Sequence, residues 1–355
     1  MALPRRASVR AVFPELAILQ GMQIHRAPPE AILDPTTQRP RFGTYAGGLP
    51  PVAFGAAAKN PFTRLRREKR WFYVTLASDE LICAVAIIRL GYASNAFAFV
   101  VDRREGRAVC DETTMGPPFT AFIGDSGGEG CLASYHLGSS HLSVSRPIGQ
   151  SDYVVDVRMQ NFELQARLGT TNAPPALGVV AALREDLFST TEKRALLSVD
   201  GTLVAGGRRY TLEHALAGYD FTAGLLERHT AWRWGFGLGR TSDGKPIALN
   251  LTEGFVGDRE CVAWIDGEIV PLSAVRFSFD RERPLSDWQV RAPDEGVDLR
   301  FSPSGLHAER HDLGIVRSRF LQLAGEFSGR ILVPGREPIT IERLAGVTED
   351  QDTYW

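Results

Sequence analysis

Apolar residues in this chain alternate with others at every second position or run together in short blocks, and turn-forming residues separate the blocks. Trp71-Phe72-Tyr73-Val74-Thr75-Leu76, Leu81 to Leu90 and Ala96-Phe97-Ala98-Phe99-Val100-Val101 follow one another at short spacing. Aromatic and β-branched residues dominate them, which is the composition of strands. Strand texture resumes at Tyr153 to Met159 and Phe162 to Leu168. Between these stretches, residues 116–150 are rich in Gly and Ser and predict long loops. Helical periodicity is scarce, with Ala182 to Ala195 the best short candidate. The pattern predicts an all-β, antiparallel fold with few short helices.

The densest stretch is Arg228-His229-Thr230-Ala231-Trp232-Arg233-Trp234-Gly235. Side chains alternate along a strand, so Trp232 and Trp234 share one face and Arg233 takes the other. Asp243-Gly244-Lys245 signals a turn, and Ile247 to Leu251 reads as the returning strand, with Glu253 at its far end.

An internal repeat organises the whole chain. Arg70-Trp71 stands before Gly91 as Arg233-Trp234 stands before Gly254, and the strand that follows each ends near an acid, Asp102 or Asp266. Gly201, Gly207 and the run Leu216-Ala217-Gly218 recur, at one common offset, as Gly329, Gly335 and Leu344-Ala345-Gly346. An acid comes next in each copy, Asp220 and Glu349. The order is collinear, which chance similarity between Gly-punctuated hairpins does not require. The expectation is a wrapping segment over residues 1–60 and two related β domains, 61–225 and 226–355.

Composition narrows the partners. The chain has 355 residues, 44% hydrophobic and 23% charged, with a net charge of −2, so a nucleic-acid partner is not indicated. Four scattered cysteines with no C-x-x-C pair fit a reducing, cytoplasmic setting and not a zinc ribbon. No apolar run is long enough for an integral membrane helix, and the N-terminus reads as a tail because Pro14 and Glu15 break its apolar pieces.

The words Tyr219-Asp220-Phe221-Thr222-Ala223-Gly224, Arg228 to Trp234, Asn250-Leu251 with Glu253-Gly254, Trp288, Phe301, Gly325 with Phe327 and Gly329, Gly346 and the closing Glu349 to Trp355 resemble the bacterial family called domain of unknown function 2804. That family is distantly similar to the two-domain lipocalin-like group of hydroxyneurosporene synthase (carotenoid hydratase), AttH and tocopherol cyclase. The resemblance implies two tandem lipocalin-like antiparallel β-barrel domains and a small hydrophobic ligand, isoprenoid, lipid or steroid-like, in one barrel or between the two. It also implies acid chemistry without a cofactor: protonation of an alkene, then capture by water or an internal nucleophile.

Such chemistry needs a carboxyl kept neutral by burial and a wall that tolerates cations, which Trp faces supply at about 0.5–2 kcal/mol per contact. Asp220, Glu253 and His229 are the catalytic candidates, with Asp220 first. Trp232, Trp234, Tyr219, Asn250 and Trp264 are the substrate-binding candidates. Blander readings stand beside these. Asp220 with Thr222 also reads as a turn, Glu253 as a bulge carboxylate paired with Arg233 or Arg240, the two Trp as core, and His229 as a hydrogen-bonding group. The reading therefore holds two outcomes open: a hydratase, cyclase or isomerase, or a non-catalytic lipophile carrier.

Two further signals fail on context. Gly124-Asp125-Ser126-Gly127-Gly128 resembles a serine-protease nucleophile word, but His25 is the sole upstream histidine and lies in a Pro-rich stretch. His307 and His311 flank Glu309, yet Ser302-Pro303-Ser304-Gly305 just before them predicts a loop, so no metal site is expected.

Overall fold

The computed structural model describes residues 22–58, 60–184, 187–312 and 316–355. The expected N-terminal tail, up to residue 21, lies outside the described residues. Strands form two curled antiparallel sheets, each a lipocalin-like half-barrel. In the first sheet the central neighbours are Glu68–Ala77 and Leu216–Leu225, the early and late strands of the first repeat. The second sheet repeats the plan with His229–Arg240 against Ile339–Tyr354. The longest helix among the described residues is Pro61–Arg67, started by Asn60, whose side chain accepts from the Phe62 amide. No helix of the described residues is long and apolar enough to cross a membrane.

Why some strands read as unbroken apolar runs follows from where their two faces go. Leu81, Cys83, Val85 and Ile87 pack inside the first half-barrel with Phe72, Val74 and Leu76. Their neighbours Ile82, Ala84 and Ala86 pack outward, into a second core between the sheets, with Tyr73, Phe97 and Phe99. A strand buried on both faces has no polar alternate. The partner sheet supplies Trp234, Phe236, Leu238 and Trp264 to the same middle core. A third core, around Trp288, Phe301 and Phe327, fills the second half-barrel. The string Trp-Arg-Trp-Gly-Phe-Gly-Leu-Gly from Trp232 is the plainest case. Its apolar residues Trp232, Trp234, Phe236 and Leu238 face the middle core, and a Cβ on Gly237 would come within 2.9 Å of Leu344 in the third core.

The two halves share local detail. Gly201 (φ +156°) and Gly329 (φ +129°) sit where a Cβ would lie 2.1 Å and 2.2 Å from a neighbouring carbonyl oxygen. Gly207 and Gly335 adopt the left-handed turn conformation, at φ +79° and +77°. The arginine after each turn reaches back to the matching acid: Arg208 to Asp102 at 2.7 Å and Arg336 to Asp266 at 2.5 Å. The repeated words thus perform repeated tasks.

Three local expectations are corrected. Residues 116–150 are not mainly loop: Ala121–Ile123, Cys131–Leu137 and Ser140–Arg146 extend the first sheet. Their inward residues Cys131, Ala133, Tyr135, Leu142 and Val144 do alternate, but Gly and Ser between them mask the period. Ala182 to Ala195 is not helical. Leu177–Ala182 and Phe188–Ala205 are strands paired through it, with Ala182 opposite Phe188. Thr190 and Thr191 favour the strand, and burial on both faces blurs its period. His307 and His311 lie in the strand Val297–Asp312, which bulges between Pro303 and Gly305 instead of breaking into a loop. The early segment also does more than wrap: Gly43–Ala46 pairs with Leu177–Ala182, and Ile32, Val52 and Phe54 enter the first core.

Candidate functional site

The middle core is incomplete. A cavity of about 510 Å³ opens between the two sheets, within the roughly 300–1,000 Å³ of small-molecule sites. Its wall is mostly apolar. Trp71 and Trp232 stack across the sheet boundary at 5.8 Å, Tyr73 meets Trp234 edge-on at 5.3 Å, and Phe97 and Phe320 close one side. Trp71 and Tyr73 reach it because they share a face of their strand, as Trp232 and Trp234 share theirs.

Polar groups gather at one part of this wall. Lys193 stands directly across the ladder from Asp220. Its Nζ donates to Asp220 at 2.7 Å, lies 3.3 Å from Glu260 in the short helical turn Gly257–Glu260 between two strands of the other sheet, and sits 4.8 Å over the Trp234 ring. Burial pulls the Lys193 pKa down, but its two carboxylate partners outweigh burial and hold it above the usual lysine value. Burial raises the Glu260 carboxyl. Asp220 also accepts from Thr222 at 3.1 Å.

Glu349 faces the same space. It pairs across the ladder with Trp234, and its carboxyl accepts from Trp232 Nε1 at 2.7 Å and Gln322 Nε2 at 3.2 Å. Burial raises its pKa to about 7, against those two hydrogen bonds and with help from the nearby Asp220 charge. A carboxyl titrating there keeps a proton at neutral pH and can pass it to a bound molecule. Asp220 and Glu349, the acids that follow the repeated Leu-Ala-Gly words, thus come from equivalent strands to one cavity.

The structure brings Asp220, Trp232 and Trp234 to this cavity and leaves other candidates outside it. Tyr219 neighbours Asp220 in sequence, so it points to the opposite face, into the first core, where its hydroxyl donates to Glu192 at 2.5 Å. Glu253 pairs across the ladder with Arg233, on the face away from the two Trp. It meets Arg233 and Arg276 at 3.2 Å each and accepts from the Phe277 amide. His229 is half exposed, stacks on Tyr354 at 4.2 Å and meets Asp352 at 3.0 Å. Asn250 stands behind the wall, accepting from Trp234 Nε1 at 2.7 Å and donating to the Glu260 carbonyl at 2.6 Å, so it positions a lining residue. Trp264 is fully buried between the sheets, its Nε1 donating to the Pro175 carbonyl. Sequence reasoning missed Trp71, Tyr73, Lys193, Glu260 and Gln322. The shared face of Trp71 and Tyr73 was a usable signal, whereas Lys193 in a Thr-Thr-Glu-Lys-Arg string carried none.

Among the described residues no group of three His, Cys, Asp or Glu side chains is placed to hold a metal ion. His307 instead meets Asp111 at 2.6 Å and Glu309 at 3.2 Å, tying the two sheets together. Burial lowers its pKa, but these carboxylates dominate and raise it to about 9. The protease-like word also serves structure: the Gly127 carbonyl accepts from Tyr153, and Ser126 donates to Glu129 of its own loop.

Solved structures with the same architecture exist. CghA bound to Sch210972 is similar at TM-score 0.52 and 11% identity, covering 81% of this chain and 88% of its own. Kievitone hydratase from Nectria haematococca is similar at 0.50 and 13%, covering 93% and 96%. An AttH-like protein of Nitrosomonas europaea is similar at 0.47 and 13%, covering 85% and 98%. At these identities the likeness to CghA and to the hydratase is one of fold. No curated protein matches the sequence. The sequence profile of the family described as domain of unknown function 2804 matches residues 40–355, nearly the whole chain, and the chain belongs to that family.

Proposed function

We propose that the protein binds a lipophilic small molecule between its two sheets and transfers a proton to it from Glu349, in a hydration, cyclisation or isomerisation. The observation that carries this is a buried carboxyl, held protonated to about 7, in the wall of an aromatic cavity. Asp220 then has a different role from the acid expected of it. Its contact with Lys193 at 2.7 Å balances charge beneath the cavity, and its negative field helps keep the Glu349 proton in place. Trp71, Trp232 and Trp234 offer faces to developing positive charge. The hydratase among the similar folds supports this class of reaction, as do four free, buried cysteines the expected reducing, cytoplasmic compartment.

Native mass spectrometry of the purified protein, followed by solvent extraction, tests the reading. The expected result is a bound apolar molecule that converts on incubation with wild type and not with Glu349→Gln. Recovery of the same molecule unchanged from both would leave a carrier and remove the catalytic claim. A protein that takes up neither a co-purifying lipophile nor a naphthalene probe would remove the cavity reading.

A further inference from the structure

The cavity offers more hydrogen-bonding capacity than the protein uses. Tyr73 lines it and is 6% exposed, and its buried hydroxyl makes no well-formed hydrogen bond among the described residues, only a loose approach to the Thr75 side chain two residues on. Thr252, on the opposing sheet and 4% exposed, likewise has an unpaired hydroxyl. A buried donor left unpaired is costly, and a phenylalanine at position 73 would bury the same ring without that cost. The hydroxyl therefore points to a missing acceptor. Water or a ligand atom would satisfy it, and the surrounding wall of Trp, Phe and Tyr rings favours the ligand.

The position of the hydroxyl narrows what that atom is. Tyr73 stands across the ladder from Asp220 and edge-on to Trp234, which in turn stands across from Glu349. Tyr73 and Glu349 both line this cavity, so one ligand can meet the phenol and the carboxyl together. Burial pushes the Tyr73 pKa well above its usual value, so the phenol stays a donor. Both Glu349 oxygens already accept bonds from the protein, which leaves its proton as what it offers a ligand. Two neutral O–H donors in an apolar chamber match a single oxygen with two lone pairs.

We infer that the ligand is a lipophilic carbonyl compound, an aromatic or conjugated ketone, whose oxygen is received by Tyr73 Oη and by the Glu349 carboxyl. The inference rests on the lipophile cavity proposed above and specifies its occupant. It also matches the acid to its task. A carboxyl that titrates near neutrality is suited to an oxygen that gains electron density as bonds rearrange, whereas protonating an isolated alkene builds a full carbocation.

The test uses the full chain and two probes of one shape: naphthyl methyl ketone and isopropenylnaphthalene, in which a methylene replaces the carbonyl oxygen. Affinities are read by quenching of tryptophan fluorescence for wild type and Tyr73→Phe. The vibrational frequency of an isotope-labelled carbonyl is read in each complex. Tyr73→Phe is expected to weaken the ketone about fivefold to tenfold, in line with one neutral hydrogen bond, and to leave the hydrocarbon within about twofold. The carbonyl stretch is expected at lower frequency in the wild-type complex than in hexane, and to move back in the variant. If both probes bind and the substitution affects neither, with the stretch as in hexane, the carbonyl inference falls and the lipophile cavity stands. If neither probe binds wild type, both fall together.

Discussion

Replacing Glu349 by Gln should change how stability depends on pH in a calculable way. The folded carboxyl titrates at about 7, against 4.5 for the unperturbed group. A raised folded pKa means that its contribution is fully present below about 4.5 and is lost as pH rises through 7, because the folded protein holds the proton more tightly than the unfolded chain. A gap of this size corresponds to about 3 kcal/mol. Glutamine has nearly the same shape and carries no charge to desolvate. Its carbonyl accepts from Trp232 Nε1, and once the Gln322 side-chain amide turns over, its own amide donates to the Gln322 oxygen, which has no partner among the described residues. Denaturant unfolding, followed by tryptophan fluorescence, gives the stability of both proteins at the two ends of this window. Relative to wild type, Glu349→Gln should gain about 3 kcal/mol between the acidic and the alkaline end. Other titrating groups are common to both proteins and cancel in the comparison. Two curves that run parallel across the window would refute the reasoning, because they would mean that the Glu349 proton is held no more tightly in the fold than in the unfolded chain.

Further perturbations separate the roles of the neighbouring groups. Lys193→Met leaves Asp220 and Glu260 facing each other without a cation and should cost about 3–5 kcal/mol, read in a thermal or urea melt. His307→Phe should remove a pH dependence of the opposite origin. The raised histidine contributes stability that is fully present below 6.5 and lost as pH rises through about 9, on the order of 2 kcal/mol after allowing for the partly exposed Asp111. Gly218→Ala would bring a Cβ to 2.5 Å from Phe236 across the middle core and should cost about 1–3 kcal/mol, measured by melting temperature.

How much of this could be read from the chain alone depends on whether a residue's task is local. The strands, the Trp232 and Trp234 face and the turn at Gly244 follow from short-range pattern. The doubled architecture follows from words such as Gly201 to Gly207 and Gly329 to Gly335, whose glycines are fixed by close backbone approach. Tyr219 and Glu253 are close to Asp220 and Trp232 in sequence but not in space, because alternation sends each to the face away from the cavity. Glu349 appeared only as the counterpart of Asp220. Its acidity arises from burial between two sheets that no local window contains. Lys193 gives the same lesson: its partners Asp220 and Glu260 come from a neighbouring strand and from a helical turn between strands of the other sheet. The helical reading of Ala182 to Ala195 failed because strand burial on both faces imitates the spacing of an apolar helix.

The central claim is that a protonated carboxyl, Glu349, faces a ligand chamber between the sheets at neutral pH. Infrared difference spectroscopy of wild type against Glu349→Gln isolates that one group, since Glu260 and Glu192 are common to both. The account predicts a protonated-carboxyl band that is present in wild type alone, titrates at about 7 and shifts when naphthyl methyl ketone is added. A difference spectrum in which that band has already vanished near the ordinary carboxyl pKa of 4.5, or persists without responding to any apolar ligand, would contradict it.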